Sequence, residues 1–417
     1  MTSVVSPRDS CRLCGSKRLQ LALRLAPTPL GDDFVPADRC GEVQECYPLD
    51  LLLCADCGNM QLGDVVSPDL IYRKYKYTTS VSLGLTEHFH RYAQEVLARV
   101  GSAPGALVLE IGSNEGAMLR AFQSHGLRVL GVDPAREIAA RAAAAGVETL
   151  AEYFTAELGR AIRRQRGPAS VVIANNVLAN IDDLGGVAQG IRDVLAPDGI
   201  LVLETSYALD VVEKQLLDTI FHEHLSYFSV RALATFFARQ GLELIDAECV
   251  PTKGGSLRAT VQLRGGPRAV SPSVARQIRR EQEIGLDRPE TWHAMGERLD
   301  RRKAELHARL RAWQAEGRQI AAYGAAVGLT TMIYQFGLAE FVSFLVDDNP
   351  EKQGLFSPGL HLPTLPSETL YQRNPDYVVV LAWRYFEPIV RRHQAYLTQG
   401  GRFVLPMPEV QVIDVSP

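Results

Sequence analysis

The chain has 417 residues, 46% of them hydrophobic and 22% charged, which exceeds one ordinary domain and fits two or three domains with proper cores. Its formal net charge of −4 excludes an acidic tail or a basic, nucleic-acid-coating surface as the main feature, so no nucleic-acid partner is expected. No apolar run approaches the roughly 20 residues that span a bilayer, and the polar start from Met1 to Arg8 lacks a signal-like apolar segment, so a cytoplasmic protein with no membrane partner is expected.

The first 70 residues hold six of the seven cysteines, the prolines Pro27, Pro29, Pro36 and Pro48, and only short apolar runs. Such a segment reads as a small domain held by something other than a core. Cys11-Arg12-Leu13-Cys14-Gly15 and Cys54-Ala55-Asp56-Cys57-Gly58 are paired knuckles. Two residues between cysteines let both sulfurs face one side of a tight turn, and the glycine relieves its backbone strain. Four thiolates match tetrahedral Zn²⁺ and leave no open position, so a structural zinc on Cys11, Cys14, Cys54 and Cys57 is expected. Iron suits the same ligands, and the plainer alternative is two unrelated pairs of buried thiols. Cys40 and Cys46 do not share the spacing. Tyr72, Tyr75 and Tyr77 follow, with Thr78, Thr79 and Ser80; they either pack one domain on the next or line a polar pocket.

From Pro68 onward the texture becomes periodic. The run from Glu87 to Leu97 has helical spacing. Strands are predicted at Ala106 to Ile111, Arg128 to Asp133, Ser170 to Ala174 and Ile200 to Glu204, with an alanine-rich helix from Ile138 to Ala145. Alternation of this kind predicts a parallel, doubly wound sheet. The charged segment from Val274 to Gln319 is helix-like and broken near Gly285 and Pro289. Strand–glycine–helix text then restarts at Gln319, with further strands at Phe341 to Asp347, Tyr377 to Leu381 and Arg402 to Leu405, a second α/β domain. The expected domains are residues 1–69, 70–265 and 266–417.

Leu109-Glu110-Ile111-Gly112-Ser113-Asn114-Glu115-Gly116 runs from a strand through a glycine turn into a helix but is not G-x-G-x-x-G. An acidic strand end flanked by Gly112 and Gly116 suits a cationic ligand approached closely by backbone, and Asp133, ending the next strand, suits the two hydroxyls of a ribose. Together they fit S-adenosylmethionine (SAM), with Asn114 and Asn175 also expected among the cofactor contacts. The plainer alternative is an α/β turn with solvated carboxylates.

Phe221-His222-Glu223-His224-Leu225-Ser226-Tyr227-Phe228-Ser229 places two histidines around a carboxylate in an aromatic context. Histidine takes a proton near neutral pH, and a carboxylate can fix its orientation. The spacing is not His-Glu-x-x-His, which argues against a catalytic metal. By itself such a pair is more often structural. Lys253-Gly254-Gly255-Ser256-Leu257-Arg258 is a glycine turn with two cations, suited to a phosphate or an interdomain bend. Tyr323-Gly324-Ala325-Ala326-Val327-Gly328 joins a strand to a helix N-terminus, a ready anion site, and Val346-Asp347-Asp348-Asn349-Pro350 ends the next strand.

In this order and over essentially the whole chain, these motifs resemble the three-domain SAM-dependent C-methyltransferases that act on dTDP-4-keto-deoxysugars in antibiotic biosynthesis. The resemblance implies a small N-terminal zinc-binding domain, a Rossmann-like SAM-dependent methyltransferase domain, and a second Rossmann-like C-terminal domain that helps hold the sugar nucleotide. The family's base falls on His224, with Glu223 beside it and His222 in the same motif. Its pocket tyrosine falls on Tyr75, or on Tyr77 if the register slips. Departures are Phe221 where tyrosine is usual, Asn180 where histidine is frequent, Lys253 in place of histidine, and Arg384 in place of asparagine; these four and Tyr323 are the expected substrate contacts. The implied reaction is proton removal from C3 beside the ketone, then methylation of that carbon. Methylation at C5 or oxygen, a bifunctional enzyme that also uses NADPH to reduce the ketone, and a non-catalytic nucleotide-sugar-binding relative stay open. So does a monomer or homodimer.

Overall fold

The computed structural model describes residues 4–72, 85–101 and 104–414. At its centre is a seven-stranded sheet in the order Leu242–Val250, Ser256–Leu263, Leu195–Ser206, Ala169–Asn175, Leu107–Ile111, Arg128–Val132, Thr149–Leu150. The four strands from Leu107–Ile111 to Ala169–Asn175 run parallel with Leu195–Ser206, as the alternating text predicts. Leu107–Ile111 is buried at every position, as expected where helices cover both faces. Chain order reverses direction between Leu107–Ile111 and Ala169–Asn175, so a crevice opens at their carboxyl ends.

Ser256–Leu263 is antiparallel to both of its neighbours and closes that edge as a hairpin with Leu242–Val250. The Lys253-Gly254-Gly255 turn is the loop of this hairpin. Lys253 itself adopts the left-handed region, with φ of 53°. Sequence periodicity did not predict either strand, because Ser256–Leu263 is buried on both faces almost throughout and lacks alternation.

The N-terminal domain is a small sheet of Leu19–Leu23, Leu51–Cys54 and Met60–Leu62. A fourth strand joins it from 160 residues later in the chain: Ser226–Tyr227, immediately after His224, pairs antiparallel with Met60 and Gln61. The third sheet is parallel in the order Thr364–Pro366, Leu345–Asp347, Ile320–Tyr323, Tyr377–Val380, Arg402–Leu405, with Gln411–Ile413 added antiparallel. The architecture of zinc-type domain, doubly wound domain and second α/β sheet is the one expected.

Two helices, Pro272–Glu283 and Pro289–Ala315, connect the last two sheets and break around Gly285, whose φ is +67°. The longer one buries Trp292, Met295, Leu299, Leu306 and Leu310, a stripe at helical spacing. Glu281, only 3% exposed, accepts hydrogen bonds from the Tyr207 hydroxyl (2.8 Å) and the amides of Val230 (2.5 Å) and Arg231 (3.1 Å). Glu281→Ala therefore strands three buried donors and is expected to cost about 3 kcal/mol; Glu281→Gln, which keeps an acceptor, should cost less. Urea denaturation of the two variants checks the order.

Candidate active site

The four predicted metal ligands converge. The sulfurs of Cys11, Cys14, Cys54 and Cys57 all lie within 4.8 Å of one another, with Cys11 to Cys57 and Cys14 to Cys54 each 3.5 Å. A tetrahedral ZnS₄ site with bonds near 2.3 Å has edges of about 3.8 Å, so the set fits zinc. Bound there, the metal would tie the two knuckles together with every coordination position taken by protein.

At the crevice of the central sheet lies a cavity of about 910 Å³. Glu110, Gly112, Asn114, Asp133, Asn175, Asn180 and Lys253 all line it. Among the described lining residues carboxylates outnumber cations, which favours a positively charged ligand. Gly112 has φ of +70°, and a Cβ there would lie 2.9 Å from Val177. Gly116 does not line the cavity; it starts the following helix with φ of +72°. Asp133 accepts the amides of Asn114 and Ala135, each at 2.9 Å, and so shapes the turn as well as facing the cavity. Glu110 is 5% exposed, and its Oε2 is buried with no hydrogen-bond partner among the described residues. Burial, then the nearby Asp133, pushes its carboxyl well above the ordinary carboxylate range. An orphaned acid of this kind calls for a cation, which the ammonium and sulfonium of SAM supply.

The opposite wall escaped the sequence reading. Glu204, near the end of Leu195–Ser206, lies between an arginine and a histidine: Arg258 donates to it from Nε at 2.7 Å, and His88 Nε2 lies 3.3 Å away. Burial alone would raise its carboxyl, but His88 and Arg258 together hold it below the usual range. The Arg258 guanidinium also stacks 4.3 Å over the Tyr92 ring, and the Tyr92 hydroxyl donates to Asn175 Oδ1 at 3.1 Å. A third carboxylate at a parallel strand end, after Glu110 and Asp133, was the available signal.

His224 Nδ1 lies 2.8 Å from the carbonyl of Thr219. A carbonyl only accepts, so Nδ1 carries the proton and Nε2 is the basic nitrogen; Nε2 has no hydrogen-bond partner among the described residues. Phe221 packs tilted against the imidazole, ring centroids 4.0 Å apart and planes at 35°; Phe221, Glu223 and His224 do not themselves line the cavity. Burial drives His224 down to about 4, opposed by the Thr219 bond and assisted by the Lys253 cation. His222 instead turns to the N-terminal domain, where its Nε2 meets the Tyr47 carbonyl at 3.2 Å. Glu223 is nearly buried, and the Tyr72 hydroxyl reaches its carbonyl at 3.5 Å. Tyr75 and Tyr77 lie outside the described residues.

Arg384 does not line the cavity; it pairs with Asp218 at 2.7 Å and donates to the Lys253 carbonyl. Tyr323 is likewise away from the cavity, its hydroxyl held by Asp348 (2.7 Å) and His393 (3.1 Å). The anion site read at the Tyr323–Gly328 turn is closed by the chain itself: a Cβ on Gly328 would come within 1.7 Å of the Asp218 carbonyl. The helix Val327–Gln335 is thus met by backbone where an anion would sit.

A doubly wound sheet whose crevice carries an unpaired carboxylate, a close-approach glycine turn and a second acidic strand end defines a SAM-dependent methyltransferase. Family profiles agree along the chain: a putative zinc binding domain over residues 11–72, a methyltransferase domain over 85–247 and a C-methyltransferase C-terminal domain over 251–408. The chain is 34% identical over 417 residues to the C-methyltransferase NovU of Streptomyces niveus, covering 100% of this chain and 99% of that one. It belongs to the three-domain SAM-dependent C-methyltransferases. Solved structures that match part of the chain include a putative methyltransferase complexed with the Trm112 activator of Haloferax volcanii (17% identity, 44% of this chain and 93% of that one, TM-score 0.35) and PH0226 from Pyrococcus horikoshii (13%, 45% and 94%, 0.36). Among the described residues no helix is long and apolar enough to cross a membrane.

Two substitutions separate shape from charge in the cofactor crevice. Gly112→Ala, which strains a left-handed residue and crowds Val177, and Glu110→Gln, which removes the unpaired charge, should each weaken SAM binding by at least about tenfold. Only Glu110→Gln should flatten the pH dependence. Protonated Glu110 cannot pair with a cation, so wild-type affinity falls with falling pH; calorimetric titration at several pH values measures both effects.

Proposed function

We propose that this enzyme methylates the carbon next to the ketone, C3, of a dTDP-4-keto-deoxysugar, with His224 as the base. The observation that carries this reading is the orientation of His224: Nδ1 is tied to Thr219, leaving a neutral imidazole with a free Nε2 beside a cavity-lining lysine. Its low pKa keeps it unprotonated, and so able to accept a proton, throughout the neutral range. The ketone acidifies the adjacent C–H, and Nε2 takes that proton.

The enolate oxygen then needs a donor. In this reading Lys253 supplies it, replacing the phenol lost at Phe221. Burial and the Arg384 cation lower the lysine, while Glu223 and Glu204 favour its charged form. Glu223 therefore supports the step through Lys253 as well as by its place beside His224. Arg384, bonded to the Lys253 carbonyl, keeps this left-handed residue in place. Glu110, Asn114, Asp133 and Asn175 are assigned to SAM, which when bound supplies an electrophilic methyl on a cationic sulfur. Asn180 is assigned to the sugar, since its Oδ1 is buried without a hydrogen-bond partner at the cavity wall. The relative named a C-methyltransferase supports carbon over oxygen as the acceptor.

Incubating SAM with a panel of dTDP-4-keto-deoxysugars should give a methylated sugar nucleotide by mass spectrometry, with NMR placing the methyl on C3. A methyl found on C5 or oxygen would overturn the regiochemistry. His224→Asn should lower kcat at least about 100-fold with SAM binding retained. For the wild type, kcat/KM for the sugar should stay level down to about pH 5 and decline as His224 protonates near pH 4, because only the neutral imidazole is a base.

A further inference from the structure

Arg12 sits inside the first Cys-x-x-Cys turn, yet its side chain is 0% exposed and reaches out of the N-terminal domain. Its Nε donates to Asp182 Oδ1 at 2.9 Å. Its Nη1 donates to the carbonyls of Leu62 (2.8 Å) and Leu225 (3.2 Å). Arg8 grips the other oxygen of Asp182 at 2.9 Å, and the Arg12 amide donates to Gln61 Oε1, also at 2.9 Å. Leu225 is the residue after His224. Asp182 lines the cavity, two residues beyond Asn180. One buried guanidinium thus links the metal knuckle to a cavity-lining segment and to the His224 segment, which lie on different elements and share no strand.

We propose that Arg12 is a positioning residue for the methyl-transfer reaction: through Leu225 and Asp182 it holds His224 and the wall carrying Asn180 in register. The metal knuckle then sets catalytic geometry without touching substrate. This rests on His224 being the base. The pairing of Ser226–Tyr227 with Met60 and Gln61 anchors the His224 segment to the N-terminal sheet; Arg12 adds the link to the cavity-lining Asp182 segment. A planar fork with several donors serves a carboxylate and two carbonyls at once. Lysine, a point charge with rotating donors, cannot hold all three in one geometry.

The test uses the full-length, zinc-loaded protein with Arg12→Lys, Arg12→Gln, Asp182→Asn and His224→Asn. Zinc content, SAM affinity, amide hydrogen exchange over residues 219–228, and kcat and KM for the sugar nucleotide are measured on each. The Arg12 variants should keep zinc and bind SAM normally, while amide exchange around Leu225 rises and kcat falls about 10- to 100-fold, Arg12→Lys being the milder. His224→Asn should abolish turnover without raising exchange. Unchanged exchange and kcat in Arg12→Gln would overturn the proposal. Raised exchange with full turnover would show that the His224 segment is not catalytic and sink both this role and the base assignment. Full turnover in His224→Asn alone would fault only the base. If Arg12→Gln loses its zinc or fails to fold, Asp182→Asn breaks the same link from outside the knuckle and is judged by the same two readouts.

Discussion

Two residues, Ser226 and Tyr227, leave the doubly wound domain and become an edge strand of the zinc-type sheet. The rest of the site depends on that pairing. It places His224 and Leu225 at the seam between two domains, and it ties the zinc-type domain to the segment that carries His224. The N-terminal domain also meets the C-terminal one directly: Thr330 donates to the Gly31 carbonyl at 2.9 Å, and Lys352 pairs with Asp32 at 2.5 Å. The three units therefore share edges, and the histidine sits where a shift of any one of them would be felt.

Electrostatics divides the crevice into two regions. On one side Glu110 and Asp133 are carboxyls raised by burial and short of positive partners, a composition that favours a cationic ligand. On the other, Glu204 already has partners in Arg258 and His88 and offers a polar, internally paired surface. The two regions thus differ in which buried charges are still unpaired.

Much of this was legible in the sequence because the signals were local. The doubled Cys-x-x-Cys spacing brought four sulfurs together, and the parallel strands appeared where apolar runs ended in glycine or a carboxylate. What escaped depended on distance in sequence. Arg12 carried no signal of its own between two cysteines; its contacts form only when Asp182 and Leu225, 170 and 213 residues away, fold against it. Arg258 was visible as part of a glycine turn, but its pairing with Glu204 required the hairpin Leu242–Val250 and Ser256–Leu263, whose strand lacks the alternation that periodicity detects. His222 and His224 are two residues apart and look equivalent; backbone geometry turns one to Tyr47 and the other to Thr219.

The C-terminal sheet shows how far topology can be separated from use. Its strand order reverses at Ile320–Tyr323 and Tyr377–Val380, the arrangement that elsewhere opens a nucleotide crevice. Here Asp218 and its neighbours enter that place, Gly328 being without a side chain so that the Asp218 carbonyl can approach, and Thr331 donates to the Ile220 carbonyl at 2.6 Å. The same segment continues through Phe221 to His224. What the crevice holds is therefore the stem of the loop that presents His224, while Arg384, from the adjoining strand end, pairs with Asp218 and reaches the Lys253 carbonyl. A doubly wound sheet used in this way acts as a clamp: its switch point fixes both the histidine and the lysine of the neighbouring domain, and the contacts that would have read a cofactor read the protein's own chain.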